Sequence, residues 1–360
     1  MSLRRIAPAL ALTLILSACG AAPQIESCEA ADGVTPVCGF ESPEDLVTLP
    51  GDAWLAVSQM RRGDAGGNLI AWRVSDGERT ELWPGGALAP AAGWGDAYCP
   101  GPPDEASFAP HGIDVFTRKT GGTGLLVINH GDREAIEFFE LGVAGGRPTL
   151  WWRGCTVVPP DTWANDVAAL PDGHGFVISN MAPHGFSGGL RPGLTLRILF
   201  RRPTGFVYEW TPAGAWREVP GTEGVLPNGV AVSADGSRIF AAMSITHSVL
   251  SVNRADGSDP RSVDVPMSPD NFAWADDGRL IIAGGAGNMT SALGCQKITA
   301  GACGVAYAVS AIDPDTMTAE TLLERDGSSA FGMASVAVPI GNELFIGSFI
   351  GDRIARYTLP

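Results

Sequence analysis

The chain has 360 residues and carries 24 Lys+Arg against 39 Asp+Glu, a formal charge of −15 at pH 7. A balance this acidic argues against a nucleic-acid partner, because phosphates need a cationic face. The 45% hydrophobic content, with ten Trp and fourteen Phe, excludes a disordered chain, and with a single long apolar run, at the extreme N-terminus, a multi-span membrane protein is excluded too.

The first element is a leader. Arg4 and Arg5 precede a short apolar run from Ile6 to Leu16, which is too short to span a bilayer comfortably. It ends in Leu16-Ser17-Ala18-Cys19, which resembles a bacterial lipobox. We read residues 1–18 as a lipoprotein signal peptide, Cys19 as the lipidated residue and 19–37 as a tether and N-terminal segment. The domain proper runs over 38–360. Loss of Arg4 and Arg5 deepens the charge to −17. Gly20 rather than Asp follows Cys19, so nothing directs retention at the inner membrane. The expected location is the bacterial cell envelope, with a lipid anchor as the membrane contact.

Six further cysteines remain, an even count that suits disulfides in an exported chain. Of the fifteen ways to pair them, the expected set is Cys28–Cys38, Cys295–Cys303 and the long-range Cys99–Cys155. Their spacing does not suit a zinc knuckle.

The body then repeats one phrase: a short apolar strand, a tight Gly-containing turn, and a second strand of small and β-branched residues. The copies start near Asp45, Gly112, Asp166, Gly229, Phe272 and Ser335. Asp-Gly and Gly-Asp at the turns supply the positive φ that hairpins need. Outer strands follow at Asn68-Leu-Ile-Ala-Trp, Ala135-Ile-Glu-Phe-Phe and Gly205-Phe-Val-Tyr. Six such units predict an all-β, six-bladed β-propeller. No low-complexity linker divides it.

In a propeller the loops leading into the innermost strands converge on the axis. The residues there are Glu44-Asp45, His111-Gly112-Ile113, Asn165-Asp166, Asn228-Gly229 and Asp270-Asn271. Asn-Asp and Asn-Gly are also ordinary turn formers. Five sets at one phase of a repeat point instead to a shared partner. Carboxylates and amides without a converging Lys or Arg are a calcium donor set, and without a cation they would be costly to desolvate.

These phrases carry a resemblance. Pro110-His111-Gly112-Ile113, Asn129-His130, Asn165-Asp166-Val167, Pro227-Asn228-Gly229-Val230, Ile245-Thr246-His247 and Asp270-Asn271 occur in the order found in the paraoxonases. The chain resembles this family of calcium-dependent lactonases and arylesterases from about residue 40 to its end. Gluconolactonases and strictosidine-synthase-like propellers are more distant. The resemblance implies two calcium ions. One, catalytic, would be held by Glu44, Asn165, Asn228, Asp270 and Asn271. The other, structural, would be held by Asp45, Asp166 and the Ile113 carbonyl. It also implies His111 and His130 as the base pair, with His184 and His247 near the pocket wall.

No Rossmann fingerprint or P-loop is present. The basic, apolar stretch 187–202 corresponds to a lid segment of the family. The family's disulfide from the N-terminal segment to the last strand has no counterpart, so the ring must close by strand pairing. The expected function is hydrolysis of a small-molecule lactone or ester. The alternatives are a gluconolactonase-like sugar-lactone hydrolase and a non-enzymatic ligand-binding propeller with structural calcium. Oligomeric state is not addressed by the sequence.

Overall fold

Six hairpin-built sheets succeed one another along the chain, each starting with its innermost strand. The computed structural model describes residues 23–60, 66–183, 192–287, 289–298 and 300–360. The expected leader, Cys19 and His184 therefore lie outside the described residues. Blade one comprises Pro43–Thr48, Trp54–Gln59, Asn68–Arg73 and Arg79–Trp83. Blade two has Pro110–Thr117, Thr123–Asn129, Ala135–Ala144 and Arg147–Val157, with Gly86–Ala87 added in parallel at its edge. Blades three and four begin with Ala164–Ala169 and Pro227–Val232, blade five with Ser268–Trp274 and blade six with Val336–Ile340. Each inner strand packs beside the next, and the sixth beside the first. The six-bladed propeller expected from the repeat is the fold.

The strands are apolar on both faces because every blade is sandwiched between two others. Six clusters of buried side chains result, one at each blade interface. Trp83, Phe108, Phe139 and Trp152 fill the first, between blades one and two. Phe138, Phe176 and Trp210 fill the next. Leu55 and Phe345 meet where blade six returns to blade one.

That return revises the N-terminal boundary. The strand Val34–Cys38, all but its last residue within the 19–37 tether and N-terminal segment, is the fourth strand of blade six and pairs with Arg353–Thr358 in register from Val34↔Tyr357 to Cys38↔Arg353. The ring thus closes by strand pairing, as the missing disulfide required. A buried arginine reinforces it. Arg353 has no exposed surface, and its guanidinium donates to the carbonyls of Ser27, Ile25 and Ala330 while pairing with Asp352. Gln24–Ile25 pairs with Ala302–Cys303.

All three expected disulfides are present: Cys28–Cys38, Cys99–Cys155 and Cys295–Cys303. The first ties the N-terminal segment to the closing strand. The second ties the long connection between blades one and two to the outer strand of blade two. The third braces the connection between the second and third strands of blade five.

The connections from second to third strands all emerge on the face where the inner strands begin. Among the described residues two of them carry helices, Pro192–Leu199 in blade three and Met289–Cys295 in blade five. The first lies within the stretch 187–202 read as a lid, of which 187–191 are outside the described residues, and exposes Leu196 and Leu199 with Phe200 just beyond it. Among the described residues no helix is long and apolar enough to cross a membrane.

Candidate functional site

The inner strands of blades one to five share one irregularity. Their antiparallel register breaks between Pro43 and Asp45, Pro110 and Ile113, Ala164 and Val167, Pro227 and Val230, and Pro269 and Phe272. A bulge frees residues from the ladder and re-aims their side chains. The freed residues are Glu44, His111-Gly112, Asn165-Asp166, Asn228-Gly229 and Asp270-Asn271. Blade six runs regularly from Val336. The glycines let neighbouring bulges touch. A Cβ on Gly112 would lie 2.6 Å from Asp166 Cα, and one on Gly229 would overlap the Asp270 carbonyl oxygen.

The structure brings the first expected calcium set together. Glu44, Asn165, Asn228 and Asn271 are all buried. Asn271 Nδ2 donates to Glu44 Oε1 at 2.8 Å, and Asn228 hydrogen-bonds Asp270. Glu44 Oε2, Asn165 Oδ1, Asn228 Oδ1 and Asn271 Oδ1 are then left buried with no hydrogen-bond partner. Four acceptors without donors, from blades one, three, four and five, are costly unless a cation meets them. Hard oxygens of this kind suit calcium. Among the described residues no group of three or more His, Cys, Asp and Glu has metal-site spacing; the donors here are amides as much as carboxylates.

The second set is arranged differently. Asp45 accepts from its neighbour Leu46 N and, across to blade two, from Ile113 N at 2.7 Å. Asp166 accepts from Val167 N and, across to blade four, from Val230 N at 2.8 Å. Every oxygen of this pair already has a donor, so the two carboxylates staple adjacent blades. Asp114, not anticipated from sequence, reaches Ala169 N of blade three at 2.7 Å in the same way.

Electrostatics binds the two sets. Burial, then the charges of Asp166 and Glu44, hold Asp45 well above the ordinary carboxylate range. Burial does the same to Asp166, with Glu44 and Asp114 adding repulsion against its backbone donors. Burial, Glu44 and Asp166 raise Asp270, and burial pushes Asp114 up to about 7. Below this level a cavity of about 510 Å³ follows the axis, bounded by all six inner strands through residues such as Val47, Val115, Ala168, Val232, Trp274 and Val338. It lies beyond the carboxylates, on the far side from the histidines.

The expected base pair is assembled at the bulge of blade two. His111 Nδ1 and His130 Nε2 are 2.9 Å apart, with the rings edge-on at 82°. His111 Nε2 faces Asn165 Nδ2 at 3.4 Å and Glu44 Oε1 at 3.5 Å. Burial depresses the His111 imidazole, but the adjacent Glu44 carboxylate and Glu134 outweigh it and leave it raised. Behind His130 stands Glu134, whose two carboxylate oxygens lie 2.9 and 2.8 Å from His130 Nδ1. Sequence reading missed Glu134; the available signal was an acid four residues after a candidate base.

His247 is expected near the pocket wall. It occupies the turn between the second and third strands of blade four with φ 52°, and it is exposed there.

No protein-family model matches the chain, and no curated protein matches it in sequence. Solved structures do match. A putative gluconolactonase superposes with a TM-score of 0.53 at 17% identity, covering 93% of this chain and 94% of its own. A gluconolactonase from Xanthomonas campestris gives 0.52 at 18%, covering 95% and 98%. Regucalcin from Agrobacterium tumefaciens, described as a calcium-binding protein, gives 0.50 at 11%, covering 89% and 91%. The shared feature is the propeller fold. At these identities the likeness extends no further.

Proposed function

We propose that the chain is an exported calcium-dependent hydrolase of lactones, with aryl esters as secondary substrates. The observation that carries this reading is the set of four buried, donorless oxygens of Glu44, Asn165, Asn228 and Asn271 beside the His111–His130 pair. Those four residues and Asp270 would hold the catalytic ion. Asp45, Asp166 and the Ile113 carbonyl would hold a second, structural ion; that part rests on their buried mutual repulsion, since their oxygens already have amide donors. When bound, calcium supplies Lewis acidity toward an ester carbonyl and neutralises the carboxylates. His111 would take the proton of the attacking water, and His130 would hold the His111 ring. The six cysteines, all paired, fit export, and Cys19 would anchor the protein in the bacterial envelope.

A sugar lactone is the alternative substrate in the same reaction class, as in the gluconolactonases that share this fold. A purely binding propeller is less favoured, because a structural ion has no need of two linked imidazoles. The test is hydrolysis of aliphatic lactones, gluconolactone and phenyl acetate, with calcium and with a chelator. Turnover of aliphatic lactones that stops on chelation is expected. Turnover of gluconolactone alone selects the alternative, and no turnover on any of them overturns the enzyme reading.

A further inference from the structure

We infer that Glu134 is a positioning residue completing a Glu134–His130–His111 chain, and that this chain dictates which nitrogen of His111 is the base. The catalytic consequence rests on the hydrolase reading; the arrangement of protons does not.

The carboxylate is built in. Asn129 shapes the turn that carries it, its Oδ1 accepting from Ala109 N at 3.1 Å and Gly131 N at 2.9 Å. The Glu134 side chain is 12% exposed. Its Oε1 also accepts from Ala164 N at 3.0 Å, the residue before Asn165. Glu134 thus joins the histidine turn of blade two to the bulge of blade three. The adjacent cation does not compete for it, because Arg133 is turned to Glu137 at 2.8 Å and to the Gly101 carbonyl.

The proton arrangement follows from donor and acceptor chemistry. An ionised carboxylate only accepts, so His130 Nδ1 carries the hydrogen between them. Neutral His130 then has a bare Nε2, which can only accept. Its partner at 2.9 Å, His111 Nδ1, must therefore donate. Neutral His111 is left with its lone pair on Nε2, the nitrogen that faces Glu44 and Asn165. Without Glu134 the order can reverse. His111 would then present an N–H to the oxygen cluster and bury its lone pair against His130.

In hydrolysis the water O–H bond breaks, its proton goes to His111 Nε2, and the oxygen bonds to the carbonyl carbon. The ring C–O bond then breaks, and the leaving alkoxide takes that proton. While His111 is an imidazolium, its Nδ1–H points at His130, with the Glu134 charge behind. An outer partner that orients a functional histidine is worth about 10–100-fold.

The test uses the full chain with calcium, and three variants. Glu134→Gln keeps the shape and an acceptor for Ala164 N but removes the charge. It is expected to lower kcat about 10–100-fold with KM and the calcium-induced rise in Tm unchanged. Glu134→Asp keeps the charge and should recover part of the loss. Glu134→Ala should allow the His130 tautomer to change. Long-range proton–nitrogen NMR of the histidine-labelled protein, with only five histidines to assign, reads the protons directly. Hydrogen on Nδ1 of both His130 and His111 in the wild type, lost from His130 in Glu134→Ala, is the expected result. Hydrogen on His130 Nε2 in the wild type, or wild-type kcat in Glu134→Gln, overturns the inference. The expected tautomers in a protein that hydrolyses no lactone would instead overturn the hydrolase reading and leave the chain of hydrogen bonds intact. If Glu134→Ala fails to fold, the wild-type spectrum and the isosteric Gln variant decide.

Discussion

At the site, one side chain is asked to move a proton and four others to offer oxygens, and substitutions should separate the two jobs. His111→Gln is expected to lower kcat by about 100-fold or more while leaving calcium affinity within a few-fold, as measured by titration calorimetry. Loss of folding instead would mark His111 as structural. The carboxylates give a second handle. In chelator, folding raises the affinity of Asp45, Asp166 and Asp270 for protons. Above the ordinary carboxylate value of about 4 the folded state then binds more protons than the unfolded one. Stability is therefore full below that value and is lost as pH rises through the raised folded values. Calcium should replace the protons. Its addition should raise Tm more at about pH 8 than at about pH 5, and equal shifts would mean that these acids do not face the ion. The oxygen donors were legible because each occupies the same phase of the repeat. Glu134 was not, because it lies in a charged turn where no period marks it. His247 sits exposed in a left-handed turn.

At the scale of the element, the bulge does the selecting. A regular strand would commit each backbone amide of Asn165-Asp166 or Asn228-Gly229 to the ladder and point alternate side chains into neighbouring blades. Breaking register instead sends Asn165 to the oxygen cluster and Asp166 to the amides of blades three and four. The sequence placed these residues at the start of strands, but nothing in it announced the break, since a bulge is a relation between two strands. Gly229 is where this geometry is most exposed to a single change. Its strand approaches Asp270 so closely that a methyl group overlaps the backbone carbonyl. Gly229→Ala should therefore spread blades four and five at the mouth, lowering stability by about 1–3 kcal/mol and weakening calcium binding as well. A scan of Tm with and without calcium checks both; an unchanged calcium response would show that the close approach serves packing alone.

For the whole molecule, the question is what keeps a ring closed. The repeat phrase revealed six units but could not reveal the closure, because Val34–Cys38 and its partner Arg353–Thr358 lie at opposite ends of the chain. The stretch before Cys38 reads as a tether, with Pro36 and two cysteines and no hairpin partner nearby. In three dimensions it supplies the edge strand of blade six, and Arg353 is the bolt. Its guanidinium collects three carbonyls, two from the N-terminal segment and one from the Ala330 loop, and its ion-pair partner among the described residues, Asp352, is adjacent. Removing that side chain strands those carbonyls in a buried site and leaves a cavity. Arg353→Ala should cost about 3–5 kcal/mol and, more tellingly, should free the segment before Val34 for proteolysis before the blades unfold. Limited digestion followed by N-terminal sequencing reads this directly. The Cys28–Cys38 disulfide cannot compensate, because it joins the segment to the closing strand and not to the rest of the ring. If the variant resists digestion like the wild type, the strand pairing alone closes the propeller and the buried charge has another purpose.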